Sequence, residues 1–219
     1  MSTHREPKNN YFTYSDYKKW PDEERWEIID GEAYKMSPAP GRTHQKMVVE
    51  IARQFGNFLE DKPCEVYSGP FDIFLPAADE DEDQTSTIVQ PDISIICDEL
   101  KLSEKGCTGA PDIVIEVVSP YGKTRDQVKK LYTYEKKGVG EYWIVHSIDK
   151  LMWKYARTSD APAADYGRPE IFDNSGRPKS SILPGFELDL MKVFGPEPEV
   201  VSQPSPAKYR TQRKTEILD

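Results

Sequence analysis

The chain has 219 residues, 37% of them hydrophobic and 31% charged, with a formal net charge of −9. That length supports one large domain with a full core, and the absence of an eighteen-residue apolar run excludes a membrane-spanning helix. A protein that coats nucleic acid nonspecifically usually carries net positive charge, so binding to DNA here requires a local basic patch or a bound divalent metal.

Cys64, Cys97 and Cys107 have neither CxxC spacing nor an even count. That predicts buried or idle thiols in a reducing cytoplasm. The three histidines do not cluster with them, which argues against structural zinc. The opening MSTHREPKNNYF holds no apolar segment of the signal-peptide kind, so a cytoplasmic location is expected.

In chain order, residues 1–10 read as a disordered lead. Residues 13–20 (TYSDYKKW) predict a short helix capped by Thr13 or Ser15. In WEIIDGEAYKM, two apolar runs flank Asp30-Gly31, a two-residue hairpin signal, and Ser37-Pro38-Ala39-Pro40-Gly41 then breaks the chain. Residues 43–61 predict the first long helix, with Met47, Val48, Ile51, Phe55, Phe58 and Leu59 on one stripe. His44 lies within that stripe, as a hydrogen-bonded boundary residue or at the edge of an active-site cleft; Glu50 lies off it.

Strands follow at 65–68, 71–75 (FDIFL, carrying Asp72) and 87–97. Pro91 within the last implies an edge position or a bulge just before Asp92. Between them, the acidic stretch 77–84 reads as a solvated hairpin tip, since it lacks EF-hand spacing. Residues 112–118 form the most apolar and central strand, ended by Ser119-Pro120. A second long helix spans 124–137, with Asp126 as N-cap or first-turn acid and Gly138 as its stop. Strands 141–146 and 151–156 pair through a hairpin at 147–150, residues 158–180 are loop-like, and 181–190 pack back as a last strand. From Gly195 onward, four prolines and few apolar residues read as a disordered, locally basic tail. One domain over 11–194 is therefore expected, an α/β fold with a mixed central sheet flanked by helices.

The chemistry concentrates in IVQPDISIICD and PDIVIEVVSPYGKTRDQVKK. Each sets an acid into a β-branched strand, where an unpartnered carboxylate costs several kcal/mol. Alternation puts Asp112, Val114, Glu116 and Val118 on one face of the second strand. In suitable register Asp92 sits close to Glu116, and two carboxylates with a backbone carbonyl are hard oxygen ligands suited to Mg²⁺ or Mn²⁺. Other readings stand beside this one. Asp92 can be a bulge acid satisfied by backbone N–H groups, Glu116 can form a metal-free ion pair with Lys130, and Lys130 can be a surface lysine. The helical wheel leaves Lys130 undecided, because Gln127, Leu131 and Tyr134 share its face while Val128, Leu131, Tyr132 and Glu135 form a competing one.

The motifs WEIIDGEAYKMSPAP, HQKMVVEIARQF, PFDIFL, VQPDISIICD, GAPDIVIEVVSP, RDQVKKLYTYEKKGV and EYWIV, in that order, resemble those of the Uma-type "putative restriction endonuclease" family, a branch of the PD-(D/E)XK nuclease superfamily. The resemblance implies a restriction-endonuclease-like αβββαβ core with an added N-terminal hairpin and C-terminal strands. It also implies Mg²⁺-dependent hydrolysis of DNA phosphodiester bonds, with Mn²⁺ as a substitute. By position, Asp92 matches the aspartate of PD, Glu116 matches the (D/E), and the Val117 carbonyl is the third protein ligand. The X-K lysine position holds Val118, a departure from the superfamily pattern. The family's helix lysine matches Lys130, with Lys129 as the fallback. His44, Glu27, Asp72 and Gln90 fall in matching motifs and are expected to support the site or position substrate. Where the family usually reads WIVDP, the chain has Trp143-Ile144-Val145-His146-Ser147, a change at a strand end. Duplex DNA is the expected partner, and cutting two strands makes a homodimer a natural arrangement. The alternative is a non-catalytic nucleic-acid- or protein-binding module that retains the nuclease fold.

Overall fold

The computed structural model describes residues 11–21, 23–36, 40–118, 124–159, 161 and 164–195, with the side chains of 124–126 excepted. The lead 1–10, the break at Ser37-Pro38-Ala39, the strand stop Ser119-Pro120, the Asp126 side chain and the tail from 196 lie outside the described residues.

The elements in order are α1 (Tyr14–Tyr17), β1 (Trp26–Ile29), β2 (Glu32–Lys35), α2 (Arg42–Leu59), β3 (Glu65–Ser68), β4 (Ile73–Phe74), β5 (Ile88–Val89), β6 (Ile93–Ile96), β7 (Leu102–Ser103), β8 (Gly106–Thr108), β9 (Ile113–Val118), α3 (Thr124–Lys137), β10 (Glu141–His146), β11 (Leu151–Ala156), β12 (Glu170–Phe172) and α4 (Leu190–Phe194). Among the described residues, no helix is long and apolar enough to cross a membrane.

The strands form two mixed sheets. One has the order β2-β1-β5-β4-β8-β7, the other β12-β11-β10-β9-β6-β3. Within the second, α2, β3, β6, β9, α3 and β10 make the αβββαβ succession, with β9 and β10 parallel and β6 antiparallel to β9. The N-terminal hairpin forms at Asp30-Gly31, both with positive φ (49° and 80°). Glycine is required there twice over, because a Cβ would lie 2.2 Å from the Tyr11 ring.

Alternation along β9 divides the core. Ile113, Ile115 and Val117 pack under α2 with Met47, Val48, Ile51, Phe55 and Leu59. Val114 packs on the other side with Tyr134 of α3, with Ile29, Ile73 and Val89 of the first sheet, and with Leu75 just after β4. The second sheet is thus covered by α2 on one face and by α3 and the first sheet on the other.

Three expectations are corrected. The strand predicted over 87–97 is split. Pro91 has no N–H to give a ladder, so β5 before it pairs with β1 and β4 while β6 after it pairs with β3 and β9. The last strand predicted over 181–190 does not form beyond a single Lys179–Glu187 bridge. Pro184 and Gly185 (φ 88°) turn the chain, and Phe186 stacks on Phe55 at 4.0 Å, so the segment seals the α2 face as an irregular strap ending in α4. The edge of β11 is instead taken by β12, from a stretch predicted as loop.

The cysteine expectation also changes. β3 and β6 pair with Glu65 opposite Ile96, and one step further the same register sets Cys64 opposite Cys97, which form a disulfide. Cys107 is free and buried, its thiol pushed up to about 11 by burial. Closing a loop of this length restricts the unfolded chain. Reduction, or Cys64→Ser, is expected to lower unfolding stability by about 2–4 kcal/mol, read by urea denaturation with and without reductant. A midpoint unchanged by either treatment would show that the bond contributes nothing.

Candidate active site

Strand register sets the central pair. Ile93 of β6 lies opposite Ile115 of β9, Ser94 opposite Val114, and Ile95 opposite Ile113. Continued by one residue, this pairing puts Asp92 across from Glu116, and opposed residues of an antiparallel pair present their side chains on one face. Asp92 sits where Pro91 has interrupted the ladder. Its Oδ2 accepts the Val117 backbone N–H at 2.8 Å and lies 3.1 Å from His44 Nε2, at the first turn of α2. Asp92 thus takes one backbone N–H, as the reading of an acid satisfied by backbone groups expects, and this does not use up the side chain. Among the described residues nothing donates to Asp92 Oδ1.

The cation comes from α3. Lys130 Nζ lies 2.8 Å from Glu116 Oε1 and 2.8 Å from Glu27 Oε1 of β1. Tyr134, one turn later, donates its hydroxyl to the same Glu116 oxygen at 3.1 Å. Packing decides what the helical wheel left open. Tyr134 is fully buried, while Val128 and Tyr132 of the competing face are 62% and 61% exposed. The fallback Lys129 points elsewhere, to Glu32 at 2.6 Å and the Tyr34 hydroxyl. Val118 packs as an apolar residue, and its carbonyl accepts the N–H and hydroxyl of Ser147 at 3.1 and 3.0 Å. Ser147 thus closes the strand end where the family motif differs.

The remaining predicted residues form a second network. Gln90 donates its backbone N–H to Glu27 Oε1 at 2.9 Å and its side-chain amide to Asp72 Oδ1 at 2.7 Å. Tyr17 adds a hydrogen bond to Asp72 at 3.3 Å, and the Gln90 carbonyl oxygen accepts Arg25 Nε and Nη2 at 2.9 and 2.8 Å. Among the described residues Asp72 is linked to the Asp92–Glu116 pair through Gln90, Glu27 and Lys130. Tyr134, Tyr17 and Arg25 were missed from sequence. For Tyr134 a signal existed, its spacing of four from Lys130 on the same helix face.

Electrostatics follow from the count of charges. Three carboxylates (Glu27, Asp92, Glu116) face one ammonium. Burial pushes Glu116 up to about 7; Lys130 works against that rise, and the charges of Asp92 and Glu27 add to it. Burial alone would lower Lys130, but Glu116 and Glu27 outweigh it and hold the ammonium above its ordinary range. The hydrogen bond to Asp92 raises His44 against its burial. Burial raises Asp72, with hydrogen bonds from Gln90 and Tyr17 opposing.

The donor set fits a hard divalent cation. Asp92 and Glu116 each keep one oxygen without a hydrogen-bond donor among the described residues. In a strand the N–H and C=O of one residue point to the same edge, so the Val117 carbonyl faces the side on which its N–H meets Asp92. No group of three or more His, Cys, Asp or Glu placed to hold a metal occurs among the described residues. The protein's ligands would then be two carboxylates and one carbonyl, with water completing the shell, as Mg²⁺ prefers.

A family model described as "Putative restriction endonuclease" (Uma2) matches residues 14–191. The chain is 25% identical over 148 residues to the uncharacterized protein slr1290 of Synechocystis sp., an alignment covering 66% of this chain and 74% of that one. The fold of the chain is similar to the crystal structure of a "putative nuclease belonging to DUF820" from Anabaena variabilis. The TM-score is 0.65 at 19% identity, over 84% of this chain and 97% of the other.

Two outcomes test the electrostatics. Glu116 is raised in the folded state, so in the metal-free protein its contribution to stability is fully present below about 4.5 and lost as pH rises through about 7. Glu116→Gln should remove that part of the decline, seen by comparing denaturation midpoints across this window; superimposable profiles would contradict it. Lys130→Met leaves two carboxylates buried without their cation and should cost about 3–5 kcal/mol, measured by urea unfolding.

Proposed function

Because the chain belongs to the Uma2 family, we propose that it is a metal-dependent endonuclease that hydrolyses DNA phosphodiester bonds at the Asp92–Glu116 pair. The observation that carries this reading is the register that sets Asp92 across from Glu116 at the interrupted end of β6, with Lys130 Nζ 2.8 Å from Glu116. Asp92, Glu116 and the Val117 carbonyl would hold Mg²⁺, or Mn²⁺ in its place. Bound there, the ion supplies Lewis-acid polarisation of a phosphoryl oxygen and a water acidified toward neutrality.

Each residue has a part in this reading. Lys130 stays protonated between Glu116 and Glu27, so it acts as a fixed positive charge toward the developing phosphorane and not as a base. Glu27 and Tyr134 fix its ammonium and the Glu116 carboxylate in place. His44 holds the Asp92 oxygen that faces Val117. Gln90 and Asp72 brace the Glu27 side of the site.

The closed Glu27–Lys130–Glu116 ion pair also favours a second reading, a binding module that keeps the fold without catalysis. Plasmid nicking separates the two. Wild type should nick with Mg²⁺ or Mn²⁺ and not with EDTA, and Asp92→Ala and Glu116→Ala should abolish nicking. Lys130→Met should lower the rate by about 10²–10³-fold. Equal nicking by wild type and the Asp92 variant would assign the activity to a contaminant and leave the binding module standing.

A further inference from the structure

The chain is net negative, yet the proposed reaction brings a polyanion to three carboxylates. Some positive charge at the approach has to be left unspent. Lys130 is committed to Glu116 and Glu27, and Arg53 to Glu50 at 2.6 Å. Arg25 is different. Its Nε and Nη2 donate to the neutral carbonyl oxygen of Gln90, and among the described residues it has no ion-pair partner and no acceptor for Nη1.

Arg25 lines a groove of about 290 Å³ together with Asp92 and Gly69, opposite an apolar wall of Val48, Val49 and Ala52 on α2. Val49 is 63% exposed. Gly69 keeps the passage clear. A Cβ there would stand 3.0 Å from the Pro91 carbonyl oxygen, and 3.9 Å from both Arg25 Nη2 and the Asp92 Cα. The groove therefore runs from a guanidinium held by a neutral acceptor to the carboxylate of the proposed metal site, with apolar surface along one side.

We propose that Arg25 contacts substrate directly, binding a phosphate of the DNA strand that the groove leads to Asp92. The proposal rests on the nuclease reading above. A guanidinium presents a planar fork that matches two phosphate oxygens, which an ammonium cannot. Gln90 takes the Nε–Nη2 edge by two hydrogen bonds and leaves the Nη1–Nη2 edge to present the fork, while Asp72, which shares Gln90, acts on the guanidinium electrostatically without a direct ion pair. The apolar wall suits the sugar between successive phosphates.

The test is binding of a short fluorescein-labelled DNA duplex, by anisotropy over a salt series with Ca²⁺ replacing Mg²⁺, alongside the nicking assay. Arg25→Gln should weaken binding about tenfold and lower the slope of log K against log salt by about 0.9, the loss of one phosphate contact. Arg25→Lys should keep the wild-type slope, since the charge remains, and bind several-fold more weakly, since the fork is gone. If Arg25→Gln does not fold, the Arg25→Lys measurement decides alone, and wild-type affinity in it overturns the proposal. Wild-type slope and affinity in Arg25→Gln, with wild type still nicking DNA, overturn the Arg25 contact and leave the nuclease standing. Failure of wild type both to bind and to nick overturns the nuclease reading and this inference together.

Discussion

The ammonium of Lys130 sits where three elements meet. Glu116 comes from the central strand of one sheet, Glu27 from a strand of the other, and Lys130 from the helix between them. Buried ion pairs add little net stability over a well-packed apolar core, because desolvation consumes most of the Coulomb gain. Removing one partner is another matter, since it strands a charge. The triad therefore acts as a constraint on geometry: α3 can dock in one rotation only, the one that satisfies both carboxylates. Tyr134 enforces the same rotation by filling the apolar space beside Glu116.

That constraint leaves the site short of positive charge. Asp92 lies opposite Glu116 with, among the described residues, a backbone N–H and His44 against it. Glu116 answers the excess by binding a proton more tightly, and a divalent ion would answer it in another way. Proton and metal then compete for the same carboxylate, which ties any metal-dependent activity to the pH range in which Glu116 ionises. The two networks meet at Glu27, whose Oε1 accepts from both Lys130 and the Gln90 backbone. Through Gln90 the arrangement extends to Asp72, Tyr17 and Arg25, so the wall of the groove and the floor of the site are braced by the same side chains.

Much of this was legible in the residues. Acids set into β-branched runs marked Asp92 and Glu116, strand alternation put Glu116 on one face with Asp112, Val114 and Val118, and the motif order gave the αβββαβ core. The limits were equally physical. The face of α3 could not be read because Leu131 belongs to both candidate stripes, and the choice depended on Glu27, more than a hundred residues earlier in sequence. Cys64 and Cys97 lack any spacing signal, being paired by the β3–β6 register alone. The run 181–190 has strand composition, but β12 already holds the sheet edge, so its apolar residues pack against α2 instead.

What the sequence determined by itself was local: the two long helices and the central strand, where Asp30-Gly31 turns, and which two carboxylates are too costly to bury without a partner. The tertiary structure decided the rest. Pro91, by withholding one N–H, divides a single apolar run between two sheets and leaves Asp92 at the break. The register of β6 on β9 then carries Asp92 to Glu116, and the docking of α3 carries Lys130 to both Glu116 and Glu27. Pattern along the chain encodes which face a side chain takes; only long-range pairing sets which faces meet, because that choice is made by packing between elements far apart in sequence.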